Sequence, residues 1–402
     1  MEGISKIYRK KRTAKLFFRI RFNYNMSHQA EKLSKENIII DGHIDLPFRL
    51  YKKNLLFEKN IKLNRETSGN FDIPKAIKGG LDSPFMSIYI PSEKNFDEAY
   101  DLANNLIDLV DNIIKSNQKN LAHANGPSDV ERNFIDNKIS LPMGMENGSA
   151  IGNDINNIRY FFNRGIRYIT LTHAKNNQIC DSSYDKKRTW NGLSDFGVEA
   201  IKEMNKVGMM VDISHVSDKT FYDVLKISEK PLIATHSSPR KFTPGFERNM
   251  SDEMIKDLAN NGGVIMMNFG SSFVNQKSNK IFSQIDKRVR LYKTKNKIIS
   301  DNLELEKYKN NLINEMNPFA SLEDVVESID HVYKLVGVDH IGFGSDFDGL
   351  GNSLPKGLKD VSMYPNIIEK LLKKNFSEKD IKKICSENLF RVWNANLQNH
   401  QT

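Results

Sequence analysis

The sequence predicts a (β/α)8 barrel of the α/β class, and three observations point to it. From residue 37 onward short apolar runs alternate with longer amphipathic, charged stretches; eight such runs occur; and six of the eight end in His, Asp or Glu. An apolar run of four to eight residues bounded by turn signals suits a strand of a buried parallel sheet, and parallel neighbours need a crossover of helix length. Eight strands close such a barrel, which gathers its chemistry at the carboxyl ends of the strands.

In chain order the strands are expected at 37–43, 84–90, 140–146, 167–173, 209–215, 231–236, 263–269 and 340–346, with helices at 96–115, 151–163, 194–207, 218–227, 252–260 and 322–336. The clearest unit is 208–238, where two apolar runs flank a helix-length segment and each is followed within two residues by a histidine. Ser321 with Glu323 and Asp324 marks a helix start, because a hydroxyl cap and first-turn acids satisfy free amides and oppose the dipole. Residues 274–317 are long and rich in Lys, Asn and Glu, and predict a helical excursion beside the barrel. Residues 364–397 predict closing helices, 365–374 and 377–397, separated at Asn375.

At 402 residues with 39% hydrophobic content the chain can fill one large barrel core, and no apolar run reaches the length of a membrane span. Cys180 and Cys385 lie far apart without CxxC spacing, which argues against a disulfide framework or a thiolate metal site. The net charge of +9 is concentrated at the start: residues 1–25 hold eight basic side chains against Glu2 alone, leaving a nearly neutral body. A nucleic-acid partner is therefore not expected. Residues 1–25 are expected to be a basic extension and 26–402 a single domain. Arg19 and Arg21 interrupt the run Leu16-Phe17-Phe18, so a secretory signal is not indicated and a cytoplasmic location is expected.

The strand ends supply an unusual set of side chains: His43 and Asp45 on the first, Glu146 on the third, His173 on the fourth, His215 and His236 on the fifth and sixth, and Asp346 on the last. Residues two apart on an extended backbone point the same way, so His43 and Asp45 can serve one ion. With His215 and His236 they form a nitrogen and oxygen donor set that zinc accepts. Glu146 can bridge two cations roughly 3.5–4 Å apart through its two oxygens. Asp348 suits a turn position better than catalysis. His123, His331 and His340 lie off this rim, whereas Cys180 and Asp181, following His173, are candidates to lie near substrate.

The segments DGHIDLP at 41, GGLDSPFMSIYIP at 79, GMENG at 144, RYITLTHAKNN at 167, GMMVDISHVSD at 208, PLIATHSS at 231, RNMSDE at 248 and VDHIGFGSDFDG at 338 resemble the membrane (renal or microsomal) dipeptidase family of zinc peptidases. The resemblance covers 37–396. It implies two zinc ions per chain, one held by His43 and Asp45 and one by His215 and His236, with Glu146 bridging. It implies that a hydroxide between the ions attacks the peptide carbonyl of a dipeptide, that Asp346 shuttles the proton to the leaving amine, that His173 contacts substrate and steadies the tetrahedral intermediate, and that Arg248 holds the free carboxylate. The family tends to form homodimers, which is the expectation here; its membrane attachment is not supported, because no lipid-anchor signal is found. Two other readings stay open: a related amidohydrolase acting on N-acyl amino acids, and a silent barrel that only binds, although every ligand position is intact.

Overall fold

The computed structural model describes residues 26–58, 60–298 and 303–397; the basic extension 1–25 lies outside the described residues. Eight parallel strands close a barrel: β1 (Ile39–Ile44), β2 (Leu81–Tyr89), β3 (Met143–Glu146), β4 (Ile166–Thr170), β5 (Met210–Asp212), β6 (Ile233–Ser237), β7 (Val264–Met267) and β8 (Ile341–Phe343). Each pairs with its neighbours in sequence, and β8 closes on β1 through Asp41 and Phe343. Nearly every strand residue is buried, because helices cover the outside while side chains fill the inside.

The interior is plugged at its amino-terminal end. Ile40, Phe85, Tyr168, Ile233 and Met266 from the strands pack with Leu389, Val392 and Trp393 of the final helix, Asn388–Leu397. Asn388 fastens that helix by donating to the carbonyls of Val338 and Ile341 at 2.7 and 2.9 Å. The packed floor leaves the carboxyl-terminal mouth as the open end.

All eight predicted strands are present, and the helices Phe96–Ser116, Asp195–Val207, Asp218–Ile227, Asp252–Asn260 and Leu322–Val336 lie where periodicity places them. The expected helix at 151–163 is a 3-10 turn, Gly148–Ile151, and a shorter helix, Asn156–Asn163, separated by Gly152 at φ +61°. The last closing helix likewise passes through a π-helical turn at Lys383–Glu387. Helices Leu46–Lys52, Ile73–Gly79 and Pro127–Ile135 were not anticipated, although each carries proline in its first two positions, where the missing N–H costs nothing.

Residues beyond β7 form two helices, Gln276–Lys295 and Leu303–Met316. They pack through their own small cluster of Phe282, Ile285, Leu312 and Ile313, with Tyr292 stacked on Tyr308 at 4.0 Å. Among the described residues no helix is long and apolar enough to cross a membrane.

Candidate metal centre

Glu146, the last residue of β3, is 3% exposed and stands at the centre of the open mouth. Its Oε1 lies 3.1 Å from His215 Nε2, 3.3 Å from His236 Nε2 and 3.8 Å from His173 Nε2. Its Oε2 lies 3.3 Å from His43 Nε2, which is 3.4 Å from Asp45 Oδ2. Each carboxylate oxygen thus faces its own group of donors. Among the described residues three overlapping sets have ligand atoms within 4.8 Å of one another: His43, Glu146 and His236; Glu146, His173 and His215; and His43, Asp45 and Asp346.

Two of these side chains reach the centre by routes that strand alternation does not describe. β1 ends at Ile44, and Asp45 sits at the head of the next helix without a side-chain capping bond, so its carboxylate is free to turn inward. β5 ends at Asp212, and the chain turns before His215, which adopts φ +70°. That left-handed conformation is uncommon for a residue with a side chain, and such residues concentrate at functional sites.

The buried imidazoles are oriented from behind. Tyr168 donates to Gly42 O at 3.0 Å, so its hydroxyl oxygen accepts from His43 Nδ1 at 3.1 Å and the Nε2 lone pair faces the centre. Tyr168 fits because Gly144 lacks a side chain: a Cβ there would sit 2.0 Å from the ring. Thr235 donates to Asp212 Oδ2 at 2.6 Å and accepts from His236 Nδ1 at 2.8 Å, again directing Nε2 inward. Thr170 also donates to Asp212, whose other oxygen accepts from the amides of Ser214 and Thr235, both at 2.9 Å.

The donor set fits divalent cations. Buried His43 Nε2 and Asp45 Oδ1 have no hydrogen-bond partner, while His215 Nε2 and His236 Nε2 lie 2.9 Å apart. Burial holds His215 and His236 well below the ordinary imidazole pKa, with Arg248 and neighbouring imidazoles adding to the effect, whereas at His43 burial is outweighed by Tyr168, Glu146 and Asp45, which hold it well above, so a cation there would displace a proton. Glu146 is held well below the usual carboxylate range: burial opposes this, but the surrounding histidines prevail.

The remaining predicted residues surround this centre. Asp346, at φ +63°, accepts from Asn268 Nδ2 at 2.9 Å; burial pushes its pKa up to about 8, with Asp45 and Glu146 adding to the rise. Gly349 packs so closely that a Cβ would lie 2.1 Å from Asp45 Oδ2 and 2.5 Å from Asp346 Oδ1. The His173 ring lies 4.4 Å from that of His215, tilted by 40°, with Tyr89 hydroxyl 3.4 Å from its Nδ1. Arg248, 3% exposed, donates to Ser237 Oγ at 2.9 Å and to His236 O at 2.8 Å, and its Nε has no partner.

Other positions have structural duties. Asp348 accepts from Asn70 N at 2.6 Å and pairs with Arg49 at 3.1 Å. Cys180 is fully buried, and Asp181 is occupied by the amides of Thr189, Trp190 and Gly192 at 2.9–3.1 Å, so both organise their loop instead of facing the mouth. His331 meets Asp252 and His340 meets Gly263 O, each at 2.8 Å. Tyr168, Asp212 and Asn268 were missed. Asn268 stands just past β7 and obeys the same rim rule as the others, whereas the two strand residues carry no sequence signal beyond a polar group inside an apolar run. Tyr168→Phe, which removes only the hydroxyl behind His43, is expected to weaken metal binding about 10–100-fold in a chelator competition titration without unfolding the chain.

Residues 27–402 match the family model described as membrane dipeptidase, peptidase family M19. Dipeptidase tcpJ from Claviceps purpurea is 31% identical over 374 residues, covering 90% of this chain and 77% of that protein. Among solved structures, a "probable dipeptidase PvdM" from Pseudomonas aeruginosa superimposes with a TM-score of 0.81 at 24% identity, covering 94% of this chain and 99% of that one. A metallopeptidase from Rhodobacter sphaeroides, liganded with a phosphinate mimic of the dipeptide L-Ala-D-Ala, gives 0.74 at 22% identity, with 90% and 99% covered. These two share the barrel fold. From the family match and the fungal relative, the chain belongs to the membrane dipeptidase family, peptidase family M19, and is a dipeptidase of the metallopeptidase type.

Proposed function

We propose that the chain hydrolyses dipeptides bearing a free carboxylate with two zinc ions, one beside His43 and Asp45, the other beside His215 and His236, and Glu146 shared. The observation that carries this reading is the division of Glu146: one oxygen faces His43, the other faces His215 and His236. Cations at such a site supply Lewis acidity and lower the pKa of a water towards about 7.

The protein's own groups do the rest. Arg248 spends two of its five N–H donors on Ser237 and His236 O, and the remaining three, including unpaired Nε, suit a carboxylate. That contact sets the substrate's register, so the scissile carbonyl lies over Glu146 and His173. His173 offers Nε2 to the developing oxyanion. Asp346 has one oxygen held by Asn268 and the other free to take a proton and return it to the departing nitrogen.

Purified chain with Ala-Ala, N-acetyl-alanine and chelator provides the test. Ala-Ala cleavage is expected, with at least a hundredfold loss on chelation and recovery with zinc, and the N-acyl compound is expected at less than a tenth of that rate. Cleavage of N-acetyl-alanine without cleavage of dipeptides overturns the assignment.

A further inference from the structure

A continuous line of rings leads from the centre to the arginine. The His215 ring lies 5.9 Å from Tyr184, Tyr184 lies 6.0 Å from Phe246, and Phe246 lies 5.7 Å from Phe273, over which the Arg248 guanidinium sits at 5.4 Å. Tyr184 is 43% exposed and Phe246 half-buried against the core that holds Phe273, so the line runs from the surface inward.

The wall is held in place. Ser183 donates to His215 O through its amide at 2.8 Å and its hydroxyl at 2.9 Å, fixing the residue before Tyr184 to the residue beside the centre. Arg188 of the same loop pairs with Glu247, the neighbour of Arg248, and Glu247 in turn accepts from Asp218 N at 3.0 Å. Two loops from different strands are thereby locked together, with the rings between them.

Building on the carboxylate role of Arg248, we propose that Tyr184, Phe246 and Phe273 form the specificity wall for the side chain of the substrate's carboxyl-terminal residue, and that the enzyme favours bulky apolar or aromatic residues there. The residue whose carboxylate Arg248 would hold has this line of rings beside it, since Phe273 lies under the guanidinium and the line continues through Phe246 and Tyr184 to His215. The side chain of that residue then has aromatic faces to cover, and such rings attract apolar and aromatic groups. A glycine at this position leaves the wall wet.

The test is kcat/KM of the zinc-loaded enzyme for Ala-Gly, Ala-Leu and Ala-Phe. Ala-Leu and Ala-Phe are expected to exceed Ala-Gly by at least about tenfold, as a hydrophobic subsite allows. Tyr184→Ala and Phe246→Ala should bring that ratio within about threefold, mainly by raising KM for Ala-Phe, whereas Tyr184→Phe, which keeps the ring, should preserve it. Equal use of the three peptides by the unaltered enzyme, or an unchanged ratio in both alanine variants, overturns the wall while leaving dipeptide cleavage intact. Failure to cleave any of them overturns the dipeptide reading, and the wall with it.

Discussion

Asp346→Asn is expected to lower kcat for dipeptides by roughly 10³-fold, within the usual range for losing a positioned acid and base, while fold, metal content and KM stay close to their original values. The substitution isolates the proton because shape is retained. Asparagine tolerates the left-handed backbone of position 346 better than other residues, and its side-chain oxygen can keep the bond from Asn268. Gly349 leaves no room for a larger side chain, so a conservative replacement is required. Under the role proposed for Arg248 the substrate carboxylate is still held, which is why the loss belongs in kcat. Steady-state kinetics beside a thermal melt decide the matter: a kcat within about tenfold of the original would remove Asp346 from proton transfer.

Glu146→Gln should do more damage still. The carboxylate meets His43 through one oxygen and His215 and His236 through the other, and burial makes the loss of its charge expensive to any cation placed there. A glutamine keeps one oxygen and puts an NH2 group, a donor without a lone pair for a metal, in place of the other, so one side of the centre loses its ligand atom and both sides lose the charge. Both ions are expected to be held less tightly, and activity at stoichiometric zinc should fall by about 10⁴-fold, since each factor of ten needs only about 1.36 kcal/mol. His43→Ala, which strips one side alone, should retain an ion beside His215 and His236. Equal metal retention in Glu146→Gln and the unaltered protein would deny the shared position.

Much of this was legible because barrels translate order in sequence into position around a ring. A polar residue at each strand end needed no further information to be placed at one mouth, and His43, Glu146, His236 and the strands themselves follow from that rule alone. The conformation that brings others inward did not follow. Asp45 and His215 leave their strands before turning, and the residue types around His215 do not announce its +70° backbone. The supporting residues were hidden for a different reason. Tyr168 and Asp212 gain their meaning from pairings 23 to 126 positions away, and one needs a glycine on the adjacent strand to fit. Cys180 and Asp181 show the converse, since nearness to His173 in sequence does not put them in the mouth: backbone amides of their own loop claim the Asp181 carboxylate.

Two ions sharing Glu146 is the central claim, and zinc titration of the metal-free protein tests it most directly, with bound zinc by elemental analysis and dipeptide cleavage followed together. Two equivalents per chain are expected to bind, full activity is expected only as the second is filled, and further zinc should add nothing. Full activity at one equivalent, or cleavage that persists with no metal bound, would contradict it.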